Sequence, residues 1–501
     1  MKRVLSNLFV YNNDTKEFKK KMLMIDKNRF RFISQPELTR LESSESLDLE
    51  NLNGYYLYPS FVDSHLHLLG TGMESIRVNL SDCKSKSDLI EAIEKSSIND
   101  TNIILRGWDE ERLGFFPDRQ FIDKITGKVC LLTRKCGHIA VCNTAFINLL
   151  SRNGIIEKDD SSFSRGILKE RTLEEAQNLI KYSVNEISDM LNKACGKLLK
   201  MGITSVHSDD YHSVELRTLL DVLRKQKSIR LFEKINPKSS DELKEMITEE
   251  IFDTESERNS FTRIKAIKVY LDGSFGGKTA ALNQPYENSL NTGILYMGSN
   301  ELGNYIRLCE EAGLQLLVHV IGDKALDIAL DAFQKNISSF NPLRHRLIHV
   351  QLASDEQLRR IRQLNLYLSI QPVFYDKDKE MAESILGEKR FTEDAYPFTK
   401  MLDLGIEFSL STDSPVENVN PFENLSSSLR FMDIETAFEK YTISSAKAAF
   451  DDKRLGKIAD GFYADGFLLK SNLFELEEEK ISLLKPAYTL FNGNLISHIQ
   501  H

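Results

Sequence analysis

The alternation of short apolar runs with long crossovers is what most constrains this fold. Eight strand-like runs lie between residues 57 and 412: Leu57 to His65, Gly202 to His207, Ile229 to Asn236, Ile264 to Leu271, Leu314 to Val320, Leu347 to Val350, Leu366 to Gln371 and Ile406 to Thr412. Helical patterns separate them, as at Leu302 to Ala312, Ala325 to Phe333, Asp355 to Leu364 and Glu423 to Phe431. Neighbouring parallel strands need a crossover of a dozen or more residues, usually a helix. Eight β/α units is the count of a closed TIM barrel. An open doubly wound sheet is the alternative, but it has no reason to stop at eight.

A chain of 501 residues is too long for one core. Strand signals also occupy both ends, at Val4 to Val10, Lys21 to Ile25 and Phe30 to Ile33, and again at Gly461 to Leu469, Ala487 to Phe491 and Leu495 to His498. Asn492-Gly493 reads as a hairpin turn. The expected organisation is a β-sandwich built jointly by residues 1–56 and 451–501, around an α/β (β/α)8 barrel over 57–450. One gap is anomalous. Between the first two barrel strands lies a large insertion, at residues 75–200, with strands of its own at Ile103 to Arg106 and Val129 to Thr133 and a helical stretch from Leu173 to Lys200. An insertion in a βα loop falls at the catalytic face of a barrel, so it is expected to cap the site.

Composition narrows the class. The chain is 41% hydrophobic and 28% charged, as in an ordinary globular protein. Its net charge of −9 argues against a nucleic-acid partner. No apolar run approaches the ~20 residues that cross a bilayer, and no signal peptide opens the chain, so a cytoplasmic location is expected. The six cysteines do not form a disulfide framework and are expected to be reduced and mostly buried.

Barrel enzymes carry their chemistry at the C-terminal ends of the strands. Strand one ends in His65-Leu66-His67. On a strand, residues i and i+2 share a side, so this pair is half of a metal site. Strand four carries Lys268 in an apolar run, strands five and six end in His319 and His349, and strand eight runs into Asp413. Four histidines, a lysine and an aspartate near one end of five strands point to a metal centre.

The chain resembles the amidohydrolase superfamily of metal-dependent hydrolases, in the YtcJ-like (amidohydrolase-3) branch that includes N-substituted formamide deformylase. The matching stretches are Pro59 to His67, Gly107-Trp108-Asp109-Glu110, Gly137-His138 with Asn143, Gly202 to Val206, Lys268 to Ser274, Thr279 to Leu282, His319 to Asp323, His345 to His349 and Thr412 to Pro415. The resemblance implies one or two divalent metal ions, with His65, His67, His319, His349 and Asp413 as ligands and Lys268 at the place of a carboxylated, bridging lysine. The family often has glutamate where this chain has Ile348. A homodimer is compatible with the resemblance.

Imidazole and carboxylate ligands without thiolate suit zinc and also admit iron, manganese or nickel. A divalent metal supplies hydroxide at neutral pH and polarises a carbonyl. Asp413 is expected to act as general base and acid. With the resemblance, this points to hydrolysis of a non-peptide C–N bond in a small molecule, an amide or N-formyl amide. A deaminase or isomerase on the same scaffold, or a catalytically silent binding protein, are the alternatives. In the insertion, Trp108 and Asp109 are expected to bind substrate and His138 to donate a hydrogen bond to a carbonyl or oxyanion. His207 and His212 are read as structural, as is His345. The loop Asp272 to Lys278 lacks P-loop spacing.

Overall fold

Pro59 divides the first strand-like run between two sheets in the computed structural model. Tyr56–Pro59 lies in a sheet built from both ends of the chain, whereas Phe61–Leu66 opens the barrel. Proline has no N–H to continue a ladder, and the chain changes partners at Ser60. The structure describes residues 2–499 apart from 45, 77–78, 100–101, 136–138, 158–162, 170–171, 174, 177–178, 181, 211–213 and 255–259, and the side chains of 75–76 and 97–99.

The barrel strands are β1 (Phe61–Leu66), β2 (Ile203–Ser208), β3 (Arg230–Ile235), β4 (Thr262–Tyr270), β5 (Gln315–Val320), β6 (Arg346–His349), β7 (Tyr367–Ile370) and β8 (Phe408–Leu410). They are parallel and lie side by side in chain order. β1, β2 and β3 are buried at every position, as expected of parallel strands covered on both faces. Bonds just beyond the last strand join it to the first: Asp413 N–H donates to His65 O at 2.9 Å, and His67 N–H to Ser414 O at 2.8 Å. The expected crossover helices are present as Ser299–Ala312, Asp323–Asn336, Asp355–Gln363 and Pro421–Ser428. Ser354 and Gln357 form a reciprocal capping box at the start of the third.

The terminal sheet has eight strands. Lys2–Asn12, Glu17–Asp26, Arg29–Phe32 and Leu47–Asn51 come from the start of the chain; Gly466–Leu469, Tyr488–Phe491 and Asn494–Ser497 come from its end. Tyr56–Pro59 joins the two groups, pairing with Lys2–Asn12 and with Gly466–Leu469. Asn492 and Gly493 both adopt positive φ, 51° and 81°, as a tight hairpin between strands requires. Arg230 of β3 ties the barrel to this sheet through Asp465, at 2.6 Å, and Phe61 stacks on Phe467 with ring centres 4.7 Å apart.

A second compact unit comprises Leu69–Ala194 and Tyr211–Leu223. Its sheet has four strands in the order Ile167–Lys169, Ile139–Cys142, Cys130–Arg134 and Ile103–Trp108. Successive side chains alternate between two buried clusters. Ile103, Leu105, Cys130, Leu132 and Val141 serve one, and Ile104, Leu131, Ala140 and Cys142 the other. Among the described residues five cysteines are free and buried, and no helix is long and apolar enough to cross a membrane.

Candidate metal centre

The end of β1 is fixed before any ligand is considered. Asp63 is fully buried, and its carboxylate accepts from Thr412 N at 3.0 Å, Thr412 Oγ1 at 2.8 Å and Tyr441 OH at 2.8 Å. These bonds pin the residue before Asp413 against β1. His349 and Asp413 stand at positive φ, 78° and 57°. That region is sparsely used by residues other than glycine and marks functional sites.

Asp413 Oδ1 is the point of convergence. His65 Nε2 is 3.1 Å away and His67 Nε2 is 3.4 Å away. Asp413 Oδ1 is buried and has these two rings as its neighbours. The three ligand atoms lie within 4.8 Å of one another, the one such group among the described residues. Metal–ligand bonds of about 2.0–2.2 Å place neighbouring ligand atoms roughly 3–3.5 Å apart, so this trio fits a divalent ion. His349 and His319 adjoin it. The ring of His349 is centred 5.4 Å from that of His65 and 4.6 Å from that of His319.

Each ring is held by its other nitrogen, which decides the coordinating atom. His67 Nδ1 donates to Asp209 O at 2.9 Å. His349 Nδ1 lies 2.9 Å from Gln371 Oε1, and Gln371 Nε2 donates onward to Ser411 Oγ at 2.8 Å. Nε2 is therefore the nitrogen of each ring that could take a metal ion. For His319 the order is reversed: Nε2 donates to Gly273 O at 3.1 Å, so Nδ1 is the nitrogen that could take an ion. Gly273 has no room for a side chain, because a Cβ there would lie 2.0 Å from Thr279 Oγ1. The loop after β4 is no phosphate cradle. Asp272 accepts from Ile321, Gly322 and Ala281 N–H groups, which anchors that loop to the end of β5.

Lys268 is fully buried, and its Nζ has no hydrogen bond. Asp209 Oδ2 is 3.7 Å away and the Tyr270 ring centre 4.5 Å away. Burial pulls its amine down to about 8 against the attraction of Asp209. Burial, then Lys234 and Lys268, bring His65 down to about 4, and burial with Lys268 brings His319 to about 3. Both are neutral imidazoles at neutral pH, the form that binds metal. Burial also disfavours a charged His67, but Asp209 and Asp413 outweigh it and raise the ring to about 9. Ile348, at the expected glutamate position, packs in a buried cluster with Phe232, Ala266, Leu317 and Ala449.

Two participants escape a reading of motifs. Asp209, beyond β2, and Lys234, within β3, are both buried beside the histidines. His207 meets Arg346 Nη1 through Nδ1 at 3.1 Å. His345 bonds Leu316 N–H at 2.9 Å and Glu310 Oε1 at 3.0 Å. Both therefore have structural partners.

The insertion residues require a correction. Trp108 is fully buried, and its indole N–H donates to Leu132 O at 2.8 Å. It belongs to one of the two cores of the second unit, so its ring packs and presents no surface to a substrate. Asp109 is buried as the N-cap of the short helix Glu110–Leu113, accepting from Glu111 N at 3.1 Å and pairing with Lys135. Its carboxylate is committed to the backbone and to that lysine. His138 and His212 lie outside the described residues.

Residues 48–497 match the family model Amidohydro_3, described as Amidohydrolase family. YtcJ of Bacillus subtilis (strain 168), which carries an amidohydrolase name, is 28% identical over 489 residues, covering 89% of this chain and 90% of its own. N-substituted formamide deformylase of Arthrobacter pascens is 21% identical over 526 residues, covering 94% of each chain. The crystal structure of an uncharacterized metal-dependent hydrolase from Pyrococcus furiosus superposes with a TM-score of 0.83 at 29% identity, covering 95% of this chain and 100% of that one.

Proposed function

Since the chain belongs to the amidohydrolase family and is a hydrolase of that kind, we propose that it cleaves a non-peptide C–N bond, an amide or N-formyl amide, with a divalent metal at the strand-end cluster. The carrying observation is the convergence of His65 Nε2 and His67 Nε2, at 3.1 and 3.4 Å, on one buried oxygen of Asp413. The likeness to N-substituted formamide deformylase supports the choice of bond.

His65, His67 and Asp413 would hold the ion, with His319, His349 and Lys268 beside them. When bound, a divalent ion lowers the pKa of water towards ~7 and polarises a carbonyl oxygen. Asp413 serves as general base towards the attacking water and then returns that proton to the departing nitrogen, so the amine leaves neutral. Its left-handed backbone, with φ 57°, and the Asp63–Thr412 bonds beside it keep the carboxylate aimed at the histidines. Lys268 is carboxylated in this reading: its neutral amine adds to carbon dioxide, a nitrogen–carbon bond forms and one amine proton leaves to solvent. The resulting anion would replace an amine that makes no hydrogen bond. Zinc is the expected metal, and a small cytoplasmic metabolite is the expected class of substrate.

The test is amine release from a panel of N-formyl amines and simple amides by the zinc-loaded chain, beside matched esters. Amine release that falls sharply in Asp413→Asn supports the reading. Turnover of esters alone, or amide turnover indifferent to Asp413→Asn, contradicts it.

A further inference from the structure

Asp209 meets both histidines of the β1 pair at the nitrogens opposite those that face Asp413. Its backbone carbonyl accepts from His67 Nδ1 at 2.9 Å. Its side-chain Oδ1 lies 3.3 Å from His65 Nδ1. Other groups hold the carboxylate in place. Tyr270 OH donates to Oδ2 at 2.9 Å. Lys234 Nζ forms an ion pair with Oδ1 at 2.9 Å and donates to His207 O at 3.1 Å.

Lys234 Nζ also lies 2.8 Å from His65 Nδ1. An ammonium only donates, so in this contact Nδ1 accepts and the ring proton sits on Nε2, facing Asp413 Oδ1. A ring that coordinates through Nε2 carries its proton on Nδ1 instead. The buried acceptor within reach of that proton is Asp209 Oδ1, 3.3 Å away.

We propose that Asp209 is the positioning residue of the His65–His67 pair and that Lys234 is the cation that holds its carboxylate there. On metal loading the His65 proton changes from Nε2 to Nδ1, with none gained or lost by the ring, and Nδ1–H donates to Asp209 Oδ1. Lys234 gives up its contact with Nδ1, since two donors cannot share it, and remains on Asp209 and on the His207 carbonyl. One carboxylate residue thereby fixes the tautomer and orientation of both rings, one through its backbone and one through its side chain. Partners of this kind raise ligand basicity, and their loss typically costs 10–100-fold in metal affinity. The inference rests on the metal-centre reading above.

The experiment measures zinc affinity of the full chain by chelator competition, together with ring 15N NMR spectra of the zinc-loaded protein. Asp209→Asn leaves Lys234 as an unpaired buried charge, which can cost the fold. The double variant Asp209→Asn/Lys234→Met removes both charges together. The proposal expects about 10–100-fold weaker zinc binding in the folded double variant and a shifted His65 Nδ1–H resonance. Zinc affinity within about twofold of wild type would overturn it. So would failure of both variants to fold, which would make the pair a structural element. A wild-type chain that binds no zinc refutes the metal-centre reading itself. Zinc binding that is equal in wild type and variants refutes only the role of Asp209.

Discussion

His65 and Asp413 are joined twice, by backbone and by side chain. Asp413 N–H donates to His65 O at 2.9 Å, and Asp413 Oδ1 faces His65 Nε2 at 3.1 Å. The first contact joins the last barrel strand to the first. The second brings a carboxylate and an imidazole to metal-ligand separation. The same two residues therefore serve both the barrel seam and the site, and Asp63 holds Thr412 beside them.

Asp413→Asn keeps the size of the side chain and the backbone bond but removes the base and a charged ligand. The expected loss in kcat/KM is about 10²–10⁴-fold, with the fold retained by circular dichroism. His65→Ala and His67→Ala are expected to reduce bound metal as well as turnover, which elemental analysis of the purified variants would read.

A carboxylated Lys268 would show a carbamate carbonyl in the 13C NMR spectrum of protein prepared with 13C-bicarbonate. The signal is expected in wild type and absent in Lys268→Met. Its absence from metal-loaded wild type would leave Lys268 as a buried amine and remove it from the ligand set.

Much of this architecture was legible in the chain. The runs from Gly202 to His207 and Leu314 to Val320 differ from β2 and β5 only at their ends, because buried parallel strands read as continuous apolar runs bounded by crossovers. The strand-end histidines were legible for the same reason: barrel geometry dictates where polar residues collect. Lys234 and Asp209 were not. Glu233-Lys234 inside β3 reads like any charged pair on a strand, and Asp209-Asp210 like a turn. Only the closed ring shows Lys234 pointing at His65. Trp108 misled because a lone tryptophan beside an aspartate suits a binding loop as well as a core. The choice is made by the bulge between Arg106 and Trp108 and by the Leu132 carbonyl.

Trp108→Ala is expected to destabilise the second unit by about 3–5 kcal/mol, the cost of emptying a buried aromatic site. Trp108→Phe should lose less, since an aromatic ring remains while part of the indole volume and the bond to Leu132 O are lost. Denaturant unfolding of the two variants would rank them; equal stability of Trp108→Ala and wild type would contradict the packing role.

Acid stability should depend in part on Glu310. The hydrogen bond from His345, with a further one from Ser338, lowers its carboxyl from the ordinary 4.5 to about 2 in the folded chain. A carboxyl with a depressed folded-state value stabilises fully above its unfolded value, and that stabilisation is lost as pH falls through about 4.5 towards 2. Glu310→Gln should therefore be less stable than wild type by about 1 kcal/mol at pH 6, discounted for partial exposure. The difference should vanish near pH 2. Thermal melts across this range would follow it, and a difference that grows on acidification would contradict the assignment.

The central claim is tested most directly by one titration. Metal is removed from the purified chain with a chelator, zinc is added back in steps, and amine release from an N-formyl amine substrate is followed alongside bound zinc. No turnover is expected in the stripped protein, and activity should rise in proportion to zinc held at the His65, His67 and Asp413 cluster. Undiminished turnover after stripping, or zinc uptake that brings no hydrolysis of any amide or N-formyl amide tested, would contradict it.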